Sequence, residues 1–106
     1  RYYTQQDIQF QEDQVITALV EIDVERGRIN EAAQKLVDID GVAEVWSVTG
    51  DHDLVALLKL REYDQLSEVV TNHIASLPEV VRTKTMLAFK VYSKQELEEA
   101  WNIGVD

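Results

Sequence analysis

The stretch that decides the fold runs from Val42 to Leu60 and reads VAEVWSVTGDHDLVALLKL. Two strand-like segments, Val42–Thr49 and His52–Leu60, are joined by Gly50-Asp51, which is a tight-turn signal. A connection this short predicts a β-hairpin. The second segment is apolar at nearly every position, so we expect it to lie in the middle of a sheet, buried on both faces.

The sequence before the hairpin predicts a strand and then a helix. Val15–Val24 alternates between two faces. One face is wholly apolar, with Ile16, Ala18, Val20, Ile22 and Val24, and the other is mixed, with Val15, Thr17, Leu19, Glu21 and Asp23. From Arg28 to Ile39 the apolar residues recur with helical spacing, and Gly41 is well placed for a left-handed helix cap.

The sequence after the hairpin repeats this order. A second helix is expected up to about Ser76, with Asp64 as its N-cap and Pro78 ending it. A last strand is expected over Val80–Tyr92. Ser93-Lys94-Gln95-Glu96 has the pattern of a capping box that opens a final helix.

An internal repeat defines the topology. Ile39–Glu44 aligns with Leu77–Arg82, and the two strands that precede these segments align as well. Two β-α-β units that share a hairpin form the split β-α-β arrangement. We therefore predict an α+β, ferredoxin-like βαββαβ domain over residues 15–92, with an N-terminal arm at residues 1–14 and a C-terminal helix at residues 93–106. With right-handed crossovers, both helices cover one face of the sheet.

Composition narrows the function classes. The 106 residues carry a net charge of −10, with 20 acidic and 10 basic side chains, which argues against binding nucleic-acid phosphates. There are no cysteines, so a disulfide scaffold and thiolate metal sites are excluded, and a cytoplasmic location is expected. No apolar run approaches the roughly 20 residues of a membrane helix, so no membrane association is expected.

Two motifs resemble a known family. The first, Val48–Asp53, reads VTGDHD in the hairpin, and the second, Leu77–Thr85, reads LPEVVRTKT at the entry to the last strand. Together with the element order, they resemble the effector-binding (RAM) domain of the Lrp/AsnC family of amino-acid-responsive transcription regulators. The resemblance covers about residues 15–92. Family members usually carry an N-terminal helix-turn-helix, which residues 1–14 are too short to form, so the chain resembles a stand-alone domain or a fragment of a longer regulator.

The resemblance implies an assembly and a site. Two sheets pair as a dimeric α/β barrel, and dimers form rings, commonly octamers or decamers. An amino acid binds where dimers meet, with backbone groups of the hairpin turn taking part. Carried over to this sequence, the ligand-binding residues are Gly50, Asp51, His52, Asp53, Thr83 and Thr85. The family often has an aromatic residue where His52 stands. We expect no catalytic residue and no cofactor. We also expect no metal, because adjacent strand residues point to opposite faces and His52 cannot easily share a metal with Asp51 and Asp53.

The residue types allow this chemistry and also plainer roles. Asp51 and Asp53 can hold an α-ammonium group, and the hydroxyls of Thr83 and Thr85 can bond a carboxylate. Aspartate equally suits a turn, and threonine suits a strand. Asp53 opens a very apolar strand, where an unpaired carboxylate is costly, so we expect it to have a partner: a ligand, a backbone amide or a basic residue.

Arg82 and Lys84 alternate with the two threonines. They therefore lie on the opposite face of the last strand, where we expect them to pair with acids across a subunit contact.

Three functional hypotheses follow. The first is a self-associating domain that senses an amino acid and modulates a full-length Lrp/AsnC regulator by mixed assembly. The second is a small enzyme of monooxygenase or isomerase type on a dimeric α+β barrel. It would need converging polar residues, whereas His52 and His73 are scattered and no nucleophile–base pair is visible. The third is a purely structural oligomerisation domain. We expect the first.

Overall fold

A computed structural model describes residues 15–94 of the chain. Over that range the elements follow in the predicted order: β1 (Ile16–Val24), α1 (Ile29–Val37), β2 (Val42–Ser47), β3 (Leu54–Leu60), α2 and β4 (Val80–Leu87). Helix α2 begins as an α-helix at Tyr63–Ser67 and continues as a π-helix at Glu68–Ile74. The predicted arm, residues 1–14, and the predicted C-terminal helix beyond residue 94 lie outside the described residues.

The strands form one antiparallel sheet in the order β2-β3-β1-β4. The hairpin pairs β2 with β3, and β1 lies between β3 and β4. In this register Val20 stands opposite Ala56 on β3 and Thr85 on β4. This is the strand order of two interlocked β-α-β units, so the predicted ferredoxin-like topology is confirmed.

The core lies between the sheet and the two helices. Alternation along β1 and β3 turns every second side chain toward the helices, and the helices contribute their apolar stripes. The buried residues of this core are Ala18, Val20, Ile22, Val24, Ala32, Leu36, Leu54, Ala56, Leu58, Leu60, Val69 and Ile74. At about 25 cal/mol per Å² of apolar surface removed from water, this layer is the main source of stability.

The opposite face of the sheet carries no helix of the described chain. Val55 and Leu57 on β3 are half-buried there, and Lys59 is exposed. The prediction that this strand is central is confirmed, but the prediction that both its faces are buried is wrong for this chain. Burial on both faces requires a second layer, and the two helices lie on the same side.

Local features set the ends of two helices. Helix α1 ends at Val37 with Asp38 as its C-cap, so the prediction that Gly41 caps it is wrong. Gly41 does have a φ of +98°, in the turn between α1 and β2, and a Cβ there would lie 2.6 Å from Cδ2 of Leu60. Helix α2 has Glu62, not Asp64, as its N-cap. The side-chain oxygen of Gln65 accepts hydrogen bonds from the backbone N–H groups of residues 61 and 62, and this moves the helix start before Asp64.

Strand β4 is shorter than predicted. It ends at Leu87, not at Tyr92. Leu87 pairs with Ala18, near the start of β1, and the N–H of Ala88 donates to the carbonyl of Thr17. Beyond that point Phe89 is fully exposed.

Candidate functional site

A depression of about 320 Å³ lies where the hairpin turn meets one end of β1 and β4. It opens on the side of the sheet away from the helices. Its lining residues come from three separate parts of the chain: Glu21, Asp23, Asp51, His52, Arg82, Thr83 and Lys84. Asp51, His52 and Thr83 belong to the predicted site, so the fold brings half of that set together.

The imidazole of His52 bridges two acids of β1. Its Nε2 lies 2.6 Å from Oε2 of Glu21, and its Nδ1 lies 3.0 Å from Oδ1 of Asp23. Carboxylate oxygens only accept hydrogen bonds, so both contacts are hydrogen bonds when both ring nitrogens carry a proton. The imidazole therefore lies between two carboxylates, within hydrogen-bonding distance of both.

Asp23 is also bound by Arg82, whose Nε donates to Oδ2 at 3.1 Å. The hydrogen bond from His52, and after it the one from Arg82, outweigh partial burial and hold the pKa of Asp23 below its usual range. We expected Arg82 to pair with an acid across a subunit contact. The structure instead pairs it with Asp23 of its own chain, because the two residues face each other in the β1–β4 register.

Asp53 does not line the depression. Its carboxylate accepts a hydrogen bond of 2.8 Å from the backbone N–H of Val24. Of the three partners that the sequence allowed, the structure therefore provides the backbone amide. This contact holds the turn against the end of β1 and so positions the neighbouring His52.

The remaining predicted residues stand apart from the depression. Gly50 lies in the turn with a φ of +108°, and no atom lies within 4 Å of a Cβ placed there, so it is backbone conformation, not crowding, that favours glycine. Thr85 faces Val20 on β1 and is exposed. Thr83 and Thr85 share a face, as predicted. Thr83 borders the depression, but it pairs with the core residue Ile22, so its side chain lies on the helix side of the sheet, opposite to Arg82 and Lys84.

Sequence reasoning missed Glu21, Asp23, Arg82 and Lys84 as site residues. The alternation did place the first two on the sheet face away from the helices. What the sequence lacked was the strand register, which sets the side chain of His52 between them.

A second charged cluster lies around the carboxylate of Glu79, which is fully buried. This carboxylate contacts the ammonium of Lys35 and lies 3.6 Å from Nη2 of Arg28. Glu79 raises the pKa of Lys35, and hydrogen bonds to Glu31 and then Glu25 raise the pKa of Arg28. The cluster joins α1 to the entry of β4, so we assign it to stability.

Neither a metal-binding cluster nor a membrane-spanning helix is found among the described residues, 15–94. No group of three or more histidine, aspartate or glutamate side chains within them is arranged to hold a metal ion. In the same range no helix is both long enough and apolar enough to cross a membrane.

Sequence comparison identifies relatives. A family model described as the Lrp/AsnC ligand binding domain matches residues 17–97. The HTH-type transcriptional regulator FL11 of Pyrococcus furiosus is 32% identical over 79 residues, which cover 74% of this chain and 52% of that regulator. The chain thus spans about half the length of the curated relatives that it matches.

Solved structures share the fold. The protein TTHA0845 from Thermus thermophilus is 44% identical with a TM-score of 0.71, and the match covers 74% of this chain and 99% of that one. The Neisseria meningitidis transcriptional regulator NMB0573, solved as a complex with L-Met, has a TM-score of 0.69 over 88% of this chain and 60% of its own. At 13% identity that second likeness is one of fold alone.

Proposed function

The chain belongs to the Lrp/AsnC ligand binding domain family. We propose that it binds an amino acid in the depression beside the hairpin turn, and that this binding changes its oligomeric state. The matched relatives are named as transcription regulators, so the proposed outcome is a change in transcription, with the domain acting in the cytoplasm. The L-Met complex of the Neisseria regulator supports an amino acid as the class of ligand.

The observation that carries the proposal is the composition of the depression. It brings Asp51 and His52 of the hairpin beside Thr83 of β4, although more than 30 residues separate them in the sequence. Acidic and basic side chains stand together around a volume of about 320 Å³, which is in the range of small-molecule sites. Such a site suits a ligand that carries both charges.

We propose that two copies pair through the sheet face that the helices leave open. Its apolar residues are Leu19, Trp46, Val55, Leu57 and Met86. Trp46 is 40% and Met86 is 43% exposed, which is unfavourable for large apolar side chains in water. Pairing two such faces forms a dimeric α/β barrel. The dimers then associate into rings of eight or ten subunits.

The depression lies at one end of this open face. A second copy therefore comes close to a ligand bound there, and a ligand that contacts two copies stabilises their association. This proximity is the proposed physical link between binding and assembly.

We propose binding without catalysis. Both ring nitrogens of His52 contact carboxylates, and Asp23 is paired again with Arg82. A histidine whose two ring nitrogens are both engaged has no free nitrogen with which to activate a nucleophile. The pairing favours a site that holds charges over one that transfers protons.

The same open face offers a route to mixed assemblies with full-length regulators of this family. A partner regulator with a similar domain presents a similar apolar sheet face. We propose that the chain modulates such a regulator by exchanging subunits with it.

Light scattering with and without each of the common amino acids, together with thermal melts, tests the proposal. We expect a ring-sized mass and a melting temperature that rises with particular amino acids, because a ligand that binds the folded state stabilises it by mass action. A protein that stays monomeric or dimeric and responds to no amino acid contradicts the sensing function.

A matched pair of variants tests the dimer face. Met86→Glu places a charge on the open sheet face and should lower the solution mass. Val37→Glu places the same charge on α1, where the native side chain is 52% exposed and faces away from the sheet. Val37→Glu should leave the mass unchanged. Equal masses for both variants and the native protein would show that the sheet face is not the contact.

A further inference from the structure

Among residues 15–94, no apolar side chain lines the depression. Every lining residue is acidic, basic, a histidine or a threonine. The contrast with the rest of the open face is sharp, since Leu19 and Met86 lie opposite each other further along the same two strands. The polar lining of the depression therefore restricts the kind of ligand that can bind there.

Most of the charges in the depression neutralise one another. His52 pairs with Glu21 and Asp23, and Arg82 pairs with Asp23. Groups that already hold strong partners gain little from a ligand, because a new contact must replace an existing charge-assisted hydrogen bond.

Two opposite charges remain. Within residues 15–94, the carboxylate of Asp51 and the ammonium of Lys84 make no hydrogen bond or ion pair. Asp51 stands in the exposed hairpin turn, and Lys84 projects from β4 opposite Glu21. The depression thus presents one uncommitted anion and one uncommitted cation, the complement of a zwitterion.

We infer that the ligand is an amino acid with a polar side chain, and that this site discriminates against aliphatic amino acids; the inference rests on the function proposed above. Asp51 binds the α-ammonium and Lys84 binds the α-carboxylate. The side chain then meets His52 and its charged neighbours Glu21, Asp23 and Arg82. An aliphatic side chain gains free energy by leaving water for apolar contact, which these walls do not offer.

An aliphatic ligand also carries a penalty here. It would cover charged and hydroxyl groups and strip them of water without giving them hydrogen bonds. Asparagine, glutamine or serine can replace those lost bonds with donors and acceptors of their own. Polar side chains are therefore favoured both by what they gain and by what they avoid.

Calorimetric titration of the full chain with asparagine, glutamine and serine, against leucine, isoleucine and valine, tests the inference. We expect at least one polar amino acid to bind about tenfold or more tightly than every aliphatic one, as one retained hydrogen bond to a charged group implies. Tighter binding of an aliphatic amino acid overturns the inference but keeps the amino-acid sensor. Binding of none overturns both.

Variants of the two uncommitted charges test the placement. Lys84→Met and Asp51→Asn should each weaken binding of the preferred amino acid by about tenfold to a hundredfold. Lys94→Met, which removes an exposed lysine outside the depression and outside the open sheet face, and Asp38→Asn, which removes an exposed acid beyond α1, are the controls and should bind like the native chain. Native affinity in both Lys84→Met and Asp51→Asn overturns the assignment, provided that their melts show folded protein.

Discussion

The carboxylate of Asp53 accepts a hydrogen bond of 2.8 Å from the backbone N–H of Val24, which lies 29 residues earlier in the chain. Val24 stands at the register shift that interrupts the β1–β4 ladder after Asp23. The N–H of Asp53 also donates to the carbonyl of Ile22 at 3.1 Å. One residue therefore fastens the hairpin turn to the strand that supplies Glu21 and Asp23 to the depression.

Replacing Asp53 tests this fastening. Asp53→Ala removes the acceptor and leaves a part-buried N–H without a partner, so we expect a loss of about 1–3 kcal/mol in the free energy of unfolding. Asp53→Asn keeps a carbonyl oxygen and should cost less. Urea denaturation measures both. Asp51→Ala, in the same turn but without such a bond, should change stability by about 0.5 kcal/mol at most. Equal losses at the two positions would show that the bond to Val24 contributes nothing.

The lowered pKa of Asp23 predicts how stability depends on acid. A carboxyl whose pKa is lower in the folded than in the unfolded state stabilises the fold above its unfolded value, and that contribution is lost as pH falls through the lowered value. His52 and then Arg82 lower this pKa. We therefore expect the native protein to lose more stability below about pH 4 than Asp23→Asn does. Unfolding measured between neutral pH and strong acid makes the comparison, and parallel curves would contradict it.

His52 holds two carboxylates that would otherwise face each other. His52→Ala should lower the free energy of unfolding by about 1–2 kcal/mol, because Glu21 and Asp23 lose charged hydrogen bonds and repel. Salt near 1 M should recover part of this loss by screening the repulsion. His73, whose Nε2 lies 3.5 Å from the exposed Glu68, is the matched control. His73→Ala should be nearly neutral at any salt concentration, and a salt-independent loss in His52→Ala would point to packing instead.

Substitutions at two glycines distinguish the cost of a left-handed backbone from the cost of steric crowding. Gly27 and Gly41 both have positive φ, but a Cβ meets nothing at Gly27 and lies 2.6 Å from Cδ2 of Leu60 at Gly41. Gly27→Ala should cost about 1–2 kcal/mol for the left-handed backbone alone. Gly41→Ala adds the displacement of a core leucine and should cost about 1–3 kcal/mol more. Chemical denaturation distinguishes the two, and equal losses would mean that Leu60 moves aside freely.

The buried carboxylate of Glu79 requires its cation. Lys35→Met removes the ammonium that contacts it and should lower the melting temperature more than Lys59→Met, which removes a lysine without such a partner. Replacing both members, Lys35→Met with Glu79→Met, should recover stability, because no charge is then left buried alone. A double variant less stable than Lys35→Met would show instead that the pair is net stabilising.

The element order could be predicted because it depends on local patterns. Alternation marks the strands, the helical spacing of apolar residues marks α1 and α2, and Gly41 and Pro78 mark the turns that follow the helices. The ends of β4 and the start of α2 were less predictable. The end of β4 depends on its pairing with β1, and the start of α2 depends on the side chain of Gln65. Neither is therefore a property of the segment alone.

The sequence by itself determined the fold class, the family and the hairpin that borders the depression, because periodicity and turn residues act over short distances along the chain. Only the tertiary structure decided which side chains meet. The register of β1 against β4 places Arg82 beside Asp23, and the return of the hairpin places His52 between Glu21 and Asp23. Such contacts join residues about 30 to 60 positions apart, a distance over which local propensity has no influence but strand pairing is decisive.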